Sequence, residues 1–343
     1  MTYDRLTDII KNYSLLSIIG MSKNVGKTTV LNYIINKLNK ENIKLALTSI
    51  GRDGEDTDVV TNTEKPTIYV KNGTLIATAR QCLGYCDITR EILSTTGINS
   101  SMGEIIITRA LSDGYVDLGG PSLNSQMNLI CSKLKSLGSD LVIVDGALSR
   151  RTVASPTITE ATILSTGASL HKDINKVVDN TVHCVTLLST PMIEDKNVYS
   201  VCSNLDDSYR VTFLYKNGEI KKLNSITSLS SSKEIIDNLN DSVSYIYIKG
   251  VVYDKLLNDL VKNCDISNLT IIIDDGTKLF IQKDTLNKFL YKGGALKVLE
   301  PINLLCVTCN PKSPYGYEFD KGIFLKLMRE KISLPVFDVI GGD

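Results

Sequence analysis

Tryptophan is absent from the chain, and histidine occurs only at His171 and His183. Acid–base chemistry that relies on imidazole therefore has few candidates. His183 lies in the apolar stretch TVHCVTLL, the setting of a satisfied core residue rather than a catalyst. Net charge is also missing, because 38 basic residues balance 38 acidic ones. Such a chain has no electrostatic reason to seek nucleic acid or an anionic membrane surface, and neither is expected as a partner. No run of about 18 apolar residues occurs, so no membrane-spanning helix is expected. The N-terminus MTYDRLTDIIKNYS lacks an apolar signal core, and a cytoplasmic location is expected.

Zinc spacing is missing as well. The eight cysteines, at 82, 86, 131, 184, 202, 264, 306 and 309, are scattered. Cys82 and Cys86 share a face if that stretch is helical, while a strand through LLCVTC points Cys306 and Cys309 to opposite faces. Neither pair has a second CxxC or a histidine pair to complete a metal site, so both read as reduced thiols. No G-x-S-x-G, HExxH, HRD or DFG signature occurs.

What is present is an α/β pattern. Hydrophobic residues make up 43% of 343 positions, enough for one large domain with an insertion or for two domains. Continuous apolar runs at 15–19, 43–50, 104–109, 141–144, 161–166 and 182–188 alternate with helical stretches such as 28–39. Runs of this kind read as strands buried on both faces, hence a doubly wound, mainly parallel sheet. Ligands belong at the carboxyl ends of such strands. We expect a core over 1–190. The polar stretch 191–243, with one short strand at 211–215, reads as a linker or insertion. Residues 244–343 resume the pattern, with strands at 245–248, 270–273, 296–299, 304–308 and 335–340 and helices at 252–261 and 319–331. This α/β part either completes the first sheet or forms a second lobe.

One motif carries chemistry. In SIIGMSKNVGKTTV, residues 17–30, a strand ends at Gly20 and a helix opens at Gly26-Lys27-Thr28-Thr29, the context that a phosphate-binding loop requires. Gly26 lets the backbone approach a phosphate closely. The amides of Ser22, Lys23, Asn24 and Val25 and the helix N-terminus aim positive dipole at an anion. Lys27 reaches the terminal phosphates of ATP, and the Thr28 hydroxyl enters the shell of Mg2+. Five residues, Met21 to Val25, separate the two glycines, where the common spelling has four.

Three further stretches join it. LVIVDGALSR, 141–150, has the form of a Walker B strand, with Asp145 binding magnesium through water. TSIGRDGEDTD, 48–58, offers Asp53 and then Glu55 for metal contact or water orientation; the alternative is a solvated acidic turn. CNPKSPYGYEFD, 309–320, places Asn310 and Pro311 where they can contact the base; the alternative is a proline-fixed turn. LGGPS, 118–122, reads as a loop with little to pack, a switch or a partner contact.

The glycine–five–GKT loop is similar to that of dethiobiotin synthetase, within the class that includes MinD-like NTPases. In some members an early loop lysine crosses a dimer interface. Lys23 is the candidate here, one position later, and would imply a homodimer; alternatively it is a solvated loop lysine. The set GMSKNVGKTTVLN, LTSIGRDGE, EKPTIYV, GTLIATA, ITRALSDGYVDLGGPS, VDGALSR and ILSTGAS, over about residues 15–170, resembles the P-loop subunit of the lysine 5,6-aminomutase reactivase. VTCNPKSPYG fits less tightly. That resemblance implies an ATP-driven factor that releases damaged cobalamin from an adenosylcobalamin-dependent aminomutase of lysine fermentation. It implies a MutS-like larger subunit as partner, and an ATP site at Gly20, Gly26, Lys27, Thr28 and Asp145. The alternative is an ATP-dependent small-molecule synthetase or kinase of the dethiobiotin-synthetase type.

Overall fold

The structure, a computed structural model, describes residues 5–50, 67–146, 153–206, 208–223 and 231–338. The chain divides into two compact units, Met1–Val182 with Asn303–Asp343, and His183–Ile302.

The first unit begins with α1 (Arg5–Ile10), β1 (Leu15–Gly20), α2 (Lys27–Asn39), β2 (Leu45–Ser49) and β3 (Leu75–Ala79). A hairpin of β4 (Arg90–Ser100) and β5 (Gly103–Ala110) follows, then α3 (Asn124–Ser136), β6 (Leu141–Asp145), β7 (Ala161–Gly167) and α4 (Ile174–Leu188), within which the division falls. The second unit holds α5 (Lys196–Ser203), β8 (Val211–Tyr215), β9 (Ile220–Leu223), α6 (Ser231–Asn238), β10 (Val243–Ile248), α7 (Asp254–Asn263), β11 (Thr270–Ile273), α8 (Lys283–Tyr291) and β12 (Ala295–Val298). The chain then returns to the first unit with β13 (Leu304–Asn310), α9 (Lys321–Lys331) and β14 (Val336–Phe337).

The first sheet has nine strands in the order β14-β13-β7-β1-β6-β2-β3-β5-β4. Pairing is parallel from β14 to β3. Every residue of β1, β2, β3 and β7 is buried, which is why these strands read as continuous apolar runs rather than alternating ones. The run at 104–109 forms a strand but pairs antiparallel with both β3 and β4. Only Ser101 and Met102 join β4 to β5, far too few residues for a parallel crossover. Apolar side chains of α1, α2, β1, β2, β6 and β13 meet in one cluster, among them Leu6, Ile34, Ile18, Leu47, Ile143 and Cys306.

The second unit has its own five-stranded sheet, ordered β9-β8-β10-β11-β12. β10, β11 and β12 are parallel, joined through α7 and α8. β8 pairs antiparallel with β9 and β10. The stretch 191–243 therefore supplies α5, β8, β9 and α6 to a folded sheet. Its polarity reflects the edge hairpin, where three of the four β9 residues are exposed. Residues 303–343 add β13 and β14 to the first sheet.

The run at 182–188, expected as a strand, is the end of α4. Val177, Val178, Thr181, Cys184, Leu187 and Leu188 are buried, a spacing of three to four that a short window hides. Among the described residues, no helix is long and apolar enough to cross a membrane.

Candidate functional site

β1 lies between β6 and β7, and the chain leaves it toward β2 on one side and later toward β7 and β13 on the other. Where strand order reverses in this way, a crevice opens at the carboxyl ends. Gly20, Asp145, Gly167 and Asn310 end β1, β6, β7 and β13 there.

The connection from Gly20 to Lys27 is wound tightly. Asn24 has φ 61° and Gly26 has φ 91°, left-handed values that an ordinary side chain resists. Gly26 sits at the N-terminal cap of α2 with no side chain to cap the helix, and its carbonyl accepts the amide of Val30 at 3.0 Å. The first amides of α2 thus form an electropositive end that the N-cap residue leaves uncapped. A Cβ on Gly20 would lie 2.7 Å from Lys27 Cδ and from Val25 Cγ2. The aliphatic stem of Lys27 therefore folds back across Gly20, which only a glycine permits. Val25 is buried beneath the loop, Lys27 and Thr28 are half-buried, and Lys23 and Thr29 are exposed.

Asp145 is aligned with Ile18 on β1 and with Ser49 on β2. Its Oδ1 is buried and accepts no hydrogen bond from the described residues. Burial raises the carboxyl above the ordinary carboxylate range, and the Lys27 charge works against that rise. A buried carboxylate without donors is costly and is normally paired or metal-bound. Ser49, buried and in register with Asp145, is a site neighbour that the sequence reading passed over. Its signal was its place as the last residue of the strand before the acidic loop.

The back of the loop is fastened by two other strands. Met21 donates its amide to the Ser165 carbonyl on β7 at 2.9 Å. Just past β7, Ser169 Oγ donates to the Lys23 carbonyl at 3.0 Å and lies 3.2 Å from Ser22 Oγ. Ser22 Oγ also donates to that carbonyl, at 2.9 Å. From β13, Asn310 Nδ2 donates to the Asn24 carbonyl at 3.1 Å, and Asn310 Oδ1 accepts the Lys312 amide at 3.1 Å. Pro311 is buried, and its carbonyl accepts the Phe319 amide at 2.9 Å. Ser169 was not anticipated; a serine after a strand carries no motif until the fold brings it to the loop.

Asp53 and Glu55 lie outside the described residues. LGGPS is not a loose loop: residues 118–121 are buried, and Gly119 exchanges hydrogen bonds with β3, donating to Thr78 Oγ1 at 2.9 Å and accepting from the Ala79 amide at 2.7 Å. The cysteines form no disulfide. Burial pushes Cys306 up to about 12 and Cys309 higher, so both thiols are inert at neutral pH. The half-buried His183 donates from Nε2 to the Ile281 carbonyl at 2.6 Å, a structural hydrogen bond. Among the described residues no three His, Cys, Asp or Glu side chains converge as a metal-binding group. Compared with known proteins, the chain matches no family model and no curated protein.

Proposed function

We propose that residues 20–29 and Asp145 hold ATP and Mg2+, and that the chain is a P-loop NTPase working as the ATP-binding subunit of a factor that reactivates an adenosylcobalamin-dependent lysine aminomutase. The observation that carries the nucleotide reading is the buried Oδ1 of Asp145, which has no hydrogen-bond partner among the described residues and feels the charge of Lys27. It lies at the carboxyl edge of the sheet, as does the N-terminus of α2, whose N-cap Gly26 supplies no side-chain cap. An uncapped helix end suits a phosphate, and an orphaned carboxylate suits a hydrated divalent cation. A magnesium ion that keeps several waters and takes phosphate oxygens needs few protein ligands.

Each residue then has a role. The loop amides and the first amides of α2 take phosphate oxygens. The Lys27 ammonium neutralises the terminal phosphates. The Thr28 hydroxyl and Asp145 hold magnesium, Asp145 through water. Asp53, and after it Glu55, are assigned to metal contact or water orientation. Cleavage of the terminal anhydride of ATP supplies the free energy for remodelling. Such work requires the nucleotide to bind one conformer of the factor more tightly than the other.

The step from nucleotide site to reactivating factor rests on the sequence resemblance over residues 15–170. The test is recovery of cobalamin-inactivated lysine aminomutase with Mg–ATP and the MutS-like larger subunit. The assay is run with this chain, without it, and with Lys27→Ala. Recovery is expected only with the unaltered chain. Equal recovery in all three arms removes the reactivation reading. Turnover of ATP by the chain alone on an organic substrate would favour the dethiobiotin-synthetase type.

A further inference from the structure

We infer that Asn310 and Ser169 are positioning residues that clamp the carbonyls of the loop, so that its amides face the phosphates; this rests on the nucleotide reading of the site. A peptide unit is planar, so fixing its carbonyl on one side points its N–H to the other. Ser169 Oγ holds the Lys23 carbonyl at 3.0 Å and Asn310 Nδ2 holds the Asn24 carbonyl at 3.1 Å. These are consecutive carbonyls, held by the turn just past β7 and by the end of β13, both remote in sequence. The second lies at Asn24, whose φ of 61° is strained for a side-chain-bearing residue. The clamp is also steric, since a Cβ on Gly26 would lie 3.1 Å from Asn310 Cβ. Asn310 is therefore wedged under the loop, and both polar atoms of its side chain are engaged within the chain. Preorganised amides bind an anion without having to be ordered first.

This role differs measurably from reading the base. A base reader affects ATP and leaves a bare polyphosphate alone, whereas a loop clamp affects every ligand that carries the phosphates. The experiment measures binding of Mg–ATP, Mg–GTP and magnesium tripolyphosphate to the full chain and to Asn310→Ala, Ser169→Ala and Ser169→Thr. Each alanine variant is expected to weaken all three ligands by about five- to tenfold, the value of one lost hydrogen bond. Ser169→Thr keeps the hydroxyl and is expected to bind as the unaltered chain does. A loss confined to ATP, or a changed ATP-to-GTP ratio, overturns the clamp in favour of base recognition. Amide exchange in the ligand-free protein separates this inference from the reading it rests on. Amides 22–26 are expected to exchange several-fold faster in both alanine variants, with the rest of the sheet unchanged. If the unaltered chain binds none of the ligands, the nucleotide reading falls. Unchanged protection of those amides overturns the clamp whatever the ligand data show.

Discussion

Both units carry carboxylates at the carboxyl ends of parallel strands, and they treat them oppositely. In His183–Ile302, Asp274 follows β11 and Glu300 lies just beyond β12. Tyr247 donates its hydroxyl to Asp274 Oδ1 at 2.6 Å, and Tyr199 donates to Glu300 Oε1 at 2.7 Å. Asp275 accepts the Thr277 amide at 2.8 Å. In the other unit, Asp145 ends β6 with a buried Oδ1 that accepts nothing from the described residues. Burial raises both Asp145 and Asp274; at Asp274 the Tyr247 hydroxyl and nearby lysines oppose it, while at Asp145 the charge of Lys27, among the described residues, does so. The same topological position is a finished structural joint where the chain supplies its own donors, and the proposed site where the described residues leave one carboxylate oxygen unmet.

The largest expected effect lies at the receptive edge. Lys27→Ala removes the ammonium whose charge acts on Asp145 and the proposed terminal-phosphate contact. Calorimetry should show Mg–ATP affinity falling about 100-fold or more, two charge-assisted contacts at about 1.5 kcal/mol each. Unchanged affinity would erase the contrast between the edges.

Asp145→Asn sharpens it with two opposite signs. Without ligand the variant should be more stable near neutral pH by about 1–2 kcal/mol, because it removes an unmet buried charge. The folded pKa of Asp145 is raised, so the stability tied to its protonated form is complete below the unfolded pKa. It is lost as pH rises through the folded pKa. Thermal unfolding of the two proteins should therefore converge in acid and separate above that range. With Mg–ATP present the order should reverse, and the variant should lose most of the magnesium dependence of binding. A destabilised ligand-free variant would show that the carboxylate is structural, like Asp274.

The smallest effect is the control at the finished edge. Tyr247→Phe should destabilise the protein by about 1 kcal/mol, one buried hydrogen bond to a carboxylate, with Mg–ATP affinity unchanged. A shift in affinity would erase the contrast between the two edges.

Legibility followed locality. Strands buried on both faces announced themselves as short apolar runs, and β8 at 211–215 and β11 at 270–273 fall where the runs stood. The loop from Gly20 to Lys27 was legible because backbone geometry and charge there depend on adjacent residues. The run at 182–188 misled because seven residues are too few to separate a buried strand from the buried face of a helix. The LGGPS stretch misled because its partners on β3 lie about 40 residues away. The antiparallel hairpin was missed because β4 has no buried residue to make an apolar run, and because the buried run of β5 carries no mark of strand direction.

By itself, the sequence determined a mixed α/β chain with a strand–loop–helix at residues 15–39, since hydrophobic periodicity and the glycines act over a few neighbours. It also marked Asp145 by the apolar run that ends there. Only the tertiary structure decided that residues 303–343 rejoin the first sheet and that the polar stretch 191–243 folds into a second one. It likewise brought Ser169 and Asn310 to the back of the loop and, among the described residues, left Oδ1 of Asp145 without a donor. Those outcomes depend on which strands lie side by side, and strand neighbourhood is set by packing across the whole chain rather than by any local pattern of residues.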